Sequence, residues 1–485
     1  MNVHSIQLLV LGALLGIAQS VSAQEPDTSW TRTFGGDASD VARSVLETSD
    51  GGFVLGGETF SFGAGASDAW LIRTDENGDT LWTKTYGDGG GSYESLNAVN
   101  ETDDGGYIMT GRVFAGGVTD MLLIRTDENG DTLWTRTYGS FDTDSGYDVL
   151  QTPDGGFIVC GTTRSYHTGF GSSVWLFRTD ADGDSLWSKT YGGSSYQEGS
   201  AVNLGPDDGF IVTGSYNDGG SQSGDVWLLR TDAQGDTLWT RRYGGEGTQQ
   251  GSAVLNTSDG GFVLSASDFG ATAGGLWLVR TDEDGENLWI ATFDGVVDNA
   301  GSLDETADGG FILTGSTIDG ELLLIRTDAG GNELWRKTLD RGDSAYGAAV
   351  RRTDDGGYIV AGNTESSGQT DIWMIRLGSE STSSDAQTAT ALPTAFRLDQ
   401  NFPNPFNPST TITYALQQPA VVHLAVFNVL GQEVRTLVNA LQPAGEYGFR
   451  WNARDAAGGF MSSGVYLYRL NVDGVVQTRT MQLLK

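Results

Sequence analysis

The chain has 485 residues, of which 71 are Gly and 9 Pro, and a formal charge of −35. That length exceeds one ordinary core unless the chain is a repeat array, and Gly at about twice the roughly 7% norm, with many Thr, Asp, Trp and Tyr, favours strands joined by tight turns. The acidity argues against nucleic acid as a partner, since phosphate binding needs clustered Lys and Arg, and a single cysteine, Cys160, rules out an internal disulfide or a Cys-based metal cluster.

Residues 1–23 read as a signal peptide, with an apolar stretch over 6–17 and the small residues Val21 and Ala23 placed for cleavage before Gln24. Residues 1–5 depart from that pattern, carrying His4 but no Lys or Arg. The apolar stretch is too short to span a bilayer, and no later one reaches the roughly 18 residues a span needs, so no transmembrane segment is expected.

From there the turn Asp-Gly-Gly-aromatic returns seven times, with its aromatic at Phe53, Tyr107, Phe157, Phe210, Phe262, Phe311 and Tyr358. The copy at Phe210 reads Asp207-Asp208-Gly209. A second signature, Arg-Thr-Asp, five residues, then Leu-Trp, recurs from Arg73/Trp82 to Arg326/Trp335. Each unit parses into four strands: one ending at the Asp-Gly turn, its hairpin partner, a third ending in Arg-Thr-Asp and a fourth starting at Leu-Trp. Four strands per unit is a propeller blade. The seventh unit stops at Arg376-Leu377 without its Leu-Trp strand, while Trp30-Thr31-Arg32-Thr33-Phe34 matches that strand at the other end of the chain. The expected fold over 24–378 is therefore a seven-bladed β-propeller closed by the N-terminal strand, in preference to a stacked solenoid that would need capping repeats. The Trp in each unit is expected to dock one blade on the next, and the recurring Arg to anchor its own blade. Cys160, in the apolar run 157–160, is expected to be a buried small residue.

The spacing Asp-x-x-Gly-x-x-x-Trp, as in Asp75, Gly78 and Trp82, resembles the tryptophan-docking repeats of quinoprotein-like propellers, and the Asp-Gly-Gly-Phe turns resemble bacterial secreted propeller repeats. The resemblance implies the fold and carries no quinone chemistry, since paired cysteines and a cofactor cluster are missing.

Candidate chemistry is sparse. The runs Asp75, Asn77, Asp79; Asp127, Asn129, Asp131; and Asp180, Asp182, Asp184 resemble the first half of a calcium loop without its distant Glu. Later copies carry Gln234, Glu286, Gly330 and Asn332, while the turn Gly persists, so a hairpin-turn role stands beside calcium, the one cofactor offered. His167 and His423 fall in different predicted domains, which argues against a Ser-His-Asp triad. The loops joining strand two to strand three, and each unit to the next, differ strongly from one another. They carry Phe60, Phe62, Arg164, Tyr166, His167, Phe170, Tyr216 and Asn217, the pattern of a binding surface or of drift in loops.

Residues 379–391 read as a Ser/Thr-rich linker, and a second domain is expected over 392–485, where seven basic and five acidic residues leave the acidity to the preceding part. Its alternating strands, Trp451 and turns at Gly445 and Gly458-Gly459 suit a small Ig-like β-sandwich. Asn401, Phe402, Pro403, Asn404, Pro405, Phe406, Asn407 and Pro408, with the runs 425–434 and 464–470, resemble the C-terminal sorting domains of type IX secretion. That resemblance implies the secretion machinery as a partner and delivery to the outer-membrane surface or the medium. The function expected is a non-enzymatic propeller binding an unknown protein or glycan; the alternative is a secreted carbohydrate-active enzyme using loop carboxylates.

Overall fold

A computed structural model describes residues 24–380 and 397–484, apart from 168–170, 220–223, 246, 258–259, 270–274 and 298–300 in the first part, and 399–400, 402–403, 405, 407–408, 417–419, 429–431, 443–444, 456–458 and 473–474 in the second. Among the described residues, the strands between 28 and 377 form seven antiparallel sheets. Sheet 1 consists of Asp40–Glu47, Phe53–Thr59, Asp68–Thr74 and Thr80–Tyr86, and sheets 2 to 5 repeat this order along the chain. In sheet 6 the first strand is broken into Val296–Val297 and Leu303–Glu305. Sheet 7 takes three strands from the end of this region, Ser344–Arg352, Tyr358–Ser366 and Gln369–Leu377, and its fourth from Thr28–Phe34. That last pairing is antiparallel, with Trp30 opposite Arg376 and Phe34 opposite Ile372.

The burial pattern follows strand position. The two middle strands of sheet 1 are buried almost throughout, because both faces meet neighbouring sheets, and their sequences are correspondingly near-continuous apolar runs. The fourth strand alternates exposed and half-buried residues, with Thr and Lys on the free edge that would otherwise recruit another strand. Apolar clusters join neighbouring sheets. Ala42, Val45, Leu55 and Ile72 of sheet 1 share one with Ala349, Ile359, Ala361, Ile372 and Met374 of sheet 7.

The two repeated signatures meet across each junction. Trp30 lies edge-on to Phe53 at 5.8 Å between ring centres, and Trp82 stands likewise to Tyr107, Trp134 to Phe157 and Trp187 to Phe210. The same Trp30 ring covers Gly78, the left-handed residue (φ +75°) of the next sheet's hairpin, where a Cβ would come within 2.6 Å of it. Tyr86 adds a hydroxyl bond of 2.8 Å to the Gly130 carbonyl across the following junction, and Tyr191 and Tyr243 repeat it at 2.6 Å to Gly235 and Gly285.

The recurring Arg anchors its own sheet. All seven are only 2–8% exposed. Arg73 donates to the carbonyls of Phe53 and Thr74 and pairs with Asp50, the acid of the Asp-Gly-Gly turn. Arg125 with Asp104, Arg178 with Asp154, Arg326 with Asp308 and Arg376 with Asp355 repeat the pairing. Cys160 is fully buried.

Beyond 397, Arg397–Leu398, Thr410–Leu416 and Gly445–Trp451 form one sheet, and Glu433–Gln442, Ala420–Asn428, Gly464–Val472 and Val475–Leu483 a second. Trp451, Tyr468, Leu424, Val426 and Tyr414 form the core of this part.

Candidate functional site

The first strand of each sheet lines a single cavity of about 840 Å³, to which all seven sheets contribute. These inner strands carry a bulge at one repeat position, between Ala42 and Ser44, Leu96 and Ala98, and Gly146 and Asp148 among others. A bulged residue leaves the ladder and is re-aimed, which puts Arg43, Asn97 and Tyr147 on the cavity wall.

Many polar groups on or just behind that wall join one sheet to the next. Ser44 accepts the Val99 N–H at 3.4 Å, Asn97 and Asn100 donate to the carbonyls of Gly146 and Val149 at 2.7 and 2.6 Å, and Asp148 accepts the Val202 N–H at 3.0 Å. Gln250 reaches Glu198 at 3.3 Å and Ser265 the Gly301 carbonyl at 3.5 Å. Ser302 accepts the Val350 N–H at 2.6 Å and Asp304 that of Arg352 at 2.8 Å. Asn363 bonds both the N–H and the carbonyl of Ala42, at 2.7 and 3.0 Å, joining sheet 7 to sheet 1.

Asp148 is half-buried against this cavity and enclosed by protein beyond it. Burial pushes its carboxyl up to about 6, although the Val202 N–H and the charge of Arg351 pull the other way. Asp304 is likewise raised by burial against Arg351. A proton near neutrality is suggestive of acid–base work, but both Asp148 oxygens take backbone N–H groups, from Val202 and Val149, so the group serves the junction.

The described parts of the variable loops emerge at one end of the sheets, where the loop after strand two touches the connection entering its own sheet: the Phe60 N–H bonds the Ser39 carbonyl, that of Arg164 the Thr143 carbonyl, and that of Asn217 the Tyr196 carbonyl. This end carries large exposed aromatics, Phe60 at 44%, Phe62 at 46% and Phe141 at 76%, with Tyr93, Phe114, Tyr166, Tyr196 and Phe269 also exposed. Several of them are propped by neighbouring side chains. Phe62 and Tyr166 lean on the buried rings of Trp70 and Trp175 at 5.4 and 5.5 Å, and the Arg164 guanidinium lies 5.9 Å over Tyr196. Tyr216 and Asn217 stand at the end of a strand, Phe210–Asn217, rather than in the loop after it. Tyr216 packs on Trp227 and under Arg242, while the Asn217 carboxamide oxygen accepts the Gly219 N–H. His167 Nδ1 lies 2.8 Å from the Ser173 hydroxyl. Phe170 lies outside the described residues.

The calcium-like runs sit at the opposite end, in the hairpins before each outer strand. Asp75 Oδ1 accepts the N–H groups of Asn77 and Asp79, both at 2.9 Å, closing the turn on itself. Asp127 does the same for Asn129 and Asp131, and Asp180 for Asp182 and Asp184. Asp79 and Asp131 reach across the junction to Arg32 and Lys84. Among the described residues no group of three or more His, Cys, Asp or Glu converges to hold a metal.

In the C-terminal part, Asn401 is 2% exposed, its N–H bonded to the Tyr468 hydroxyl and its carboxamide to Thr410. Phe406 packs on Trp451, and both its N–H and its carbonyl bond the last strand region, at Gln482 and Leu484. Asn404 accepts the Gln482 N–H. Phe402, Pro403, Pro405, Asn407 and Pro408 lie outside the described residues. Among the described residues no helix is long and apolar enough to cross a membrane.

The FlgD Ig-like domain family matches residues 407–474, giving the C-terminal sheets an Ig-like domain. No curated protein matches the chain significantly. Among solved structures, PorZ, a bacterial surface component of the type-IX secretion system of Porphyromonas gingivalis, is 13% identical, aligning 86% of this chain with 64% of its own at a TM-score of 0.32. Sqt1 from Chaetomium thermophilum is 14% identical over 70% of this chain and 82% of its own, at a TM-score of 0.41. A puromycin hydrolase is 13% identical over 79% and 59%, at a TM-score of 0.47. The chain thus spans less than two thirds of the length of PorZ and of the puromycin hydrolase.

Proposed function

We propose that residues 24–378 form a closed seven-bladed propeller acting as a non-enzymatic binding module for a protein or glycan, and that residues 392–485 deliver it through type IX secretion to the cell surface or the medium. Closure is supported by the Thr28–Phe34 strand in the last sheet and by Asn363 bonding Ala42. Export is supported by the signal-peptide pattern of residues 1–23 and by the sorting motif beginning at Asn401, whose buried side chain anchors the start of the Ig-like domain.

The observation that carries the binding reading is the concentration of exposed aromatics, several of them propped, at the variable-loop end. Rigid rings offer large contact area at low entropic cost, to protein hot spots and to sugar faces alike. The cavity beneath is less suited to catalysis, because its carboxylates and amides are committed to the junctions. The experiment is to present the mature chain to glycan and envelope-protein arrays, then to repeat any hit with a variant carrying F60A, Y166A and Y196A. Binding lost in the variant at unchanged melting temperature supports the reading. No binding above background, or equal binding by the variant, would overturn it. Turnover on a polysaccharide panel, abolished by changing one loop acid, would install the enzyme in its place.

A further inference from the structure

One repeat position, at the variable-loop end of the inner strand, is held by Asp40, Glu94, Asp144, Gln197 and Gln249 in sheets 1 to 5. Four of the five are satisfied locally. Asp40 takes the hydroxyls of Thr59 and Ser61 and the Gly36 N–H. Asp144 takes those of Thr163 and Ser165 and the Ser140 N–H. Gln197 and Gln249 turn amide oxygens to the N–H groups of Gly193 and Gly245 at 3.0 and 3.2 Å.

Glu94 is the exception. Its partner across the ladder is Val113, where Asp40 and Asp144 face Thr59 and Thr163, and Ala115 stands where they have Ser61 and Ser165. It is 4% exposed, and its Oε2 is buried with no hydrogen-bond partner. A second buried carboxylate borders the same space: a Cβ added to Gly87 would collide with Asp68 Oδ1 and come within 3.1 Å of Glu94 Oε2. Asp68 is 3% exposed. Ser67, whose carbonyl accepts the Glu94 N–H at 3.1 Å, also has a buried hydroxyl without a partner. Two carboxylates side by side out of water are relieved either by a proton on one of them or by a bound cation.

We propose that Asp68 and Glu94 hold a calcium ion at the junction of sheets 1 and 2. The surroundings offer oxygen ligands only, which suits a hard cation. With two carboxylates at its centre, the site keeps several waters, and its affinity belongs in the range of extracellular modules, about 10⁻⁴ to 10⁻³ M. It is separate from the Asp75-type hairpins at the opposite end, whose carboxylates close their own turns.

The test uses the mature chain stripped of metal, titrated with calcium chloride by calorimetry and by thermal melting. The wild type is expected to bind and to gain several degrees at 10 mM calcium. E94Q, which installs the residue that this position holds as Gln197 and Gln249, should fold and lose the response. D68N should lose it too, while D75N keeps it. No binding or melting response in the wild type at 10 mM, or a full response in E94Q, would overturn the proposal. So would a protonated Glu94 carboxyl band at neutral pH, by difference infrared spectroscopy against E94Q, that calcium leaves unchanged.

Discussion

Replacing Gly78 by Ala tests the docking of Trp30 on the next sheet. Gly78 has φ +75°, and a Cβ there would stand 2.6 Å from the Trp30 ring; Gly105 has φ +84° with nothing within 4 Å of its added Cβ. The left-handed backbone costs an L-residue about 1–2 kcal/mol at either position. At Gly78 the new methyl must also displace an indole held against Phe53 at 5.8 Å, and such overpacking costs about 1–3 kcal/mol more. G78A should therefore lose about 2–5 kcal/mol and G105A about 1–2, in guanidinium denaturation of the mature chain followed by Trp fluorescence. Amide exchange over Thr28–Phe34 should accelerate in G78A alone, since the displaced Trp30 belongs to that strand. Equal losses, with equal protection of the strand, would refute the docking of Trp30 on sheet 1.

Asp148 should be replaceable by the residue that its repeat position carries elsewhere, because Ser44 and Ser302 accept the equivalent N–H groups of Val99 and Val350. A carboxyl raised to about 6 in the fold binds its proton more readily folded than unfolded, so its penalty is full above pH 6 and relieved as pH falls towards 4; that rise corresponds to at most roughly 3 kcal/mol. D148S should match or exceed the wild type in denaturation at pH 8 and show a flatter profile between pH 4 and 7; a loss of stability at pH 8 would contradict this. The turn acids behave oppositely. The Thr152 hydroxyl, opposed by burial, together with the Gly156 N–H and Arg178, holds Asp154 below the usual carboxylate range, and Asp50, Asp104, Asp308 and Asp355 are lowered in like settings. Their contribution is present above about pH 4 and lost as pH falls through the folded values, so melting temperature should drop below pH 4, and less so at high salt if ion pairing dominates. In the Ig-like domain, F406A should cost about 3–5 kcal/mol and N401A about 1–3, read from unfolding of that domain. Unchanged unfolding in both would contradict the anchoring of the motif.

The repeats made the four-strand parse, the docking Trp and the missing fourth strand of the seventh unit legible, because the two signatures recur in a constant order within each unit. The partner of the recurring Arg was less so. Asp68 and its equivalents lie five residues before it in sequence, but in a strand that offset puts them at the far end of the sheet, and Asp50 comes to Arg73 through the hairpin instead. The cavity wall was hidden for another reason. Its junction bonds recur in neither position nor residue type: Ser44, Asp148 and Ser302 share one place on the inner strand, Asn97 stands one residue before it, Gln250 three before it, and Asn363 lies on a second strand, so self-comparison does not pick them out. The same absence of repetition concealed Glu94, whose setting is visible only once Val113 is seen opposite it.

Closure of the ring by the N-terminal strand is tested most directly by a covalent link. A Cβ on Gly378 would lie 3.6 Å from the Ser29 hydroxyl, and the Gly378 N–H already bonds the Asp27 carbonyl at 3.0 Å. Cysteines at these two positions, beside the buried Cys160, should form an intramolecular disulfide on mild oxidation, seen by peptide mapping. Because the link closes almost the whole of the first domain, it should stabilise the fold by up to about 5 kcal/mol in the chain-entropy account and raise the denaturation midpoint accordingly. A pair that stays reduced, or links only between molecules, would contradict the closed ring.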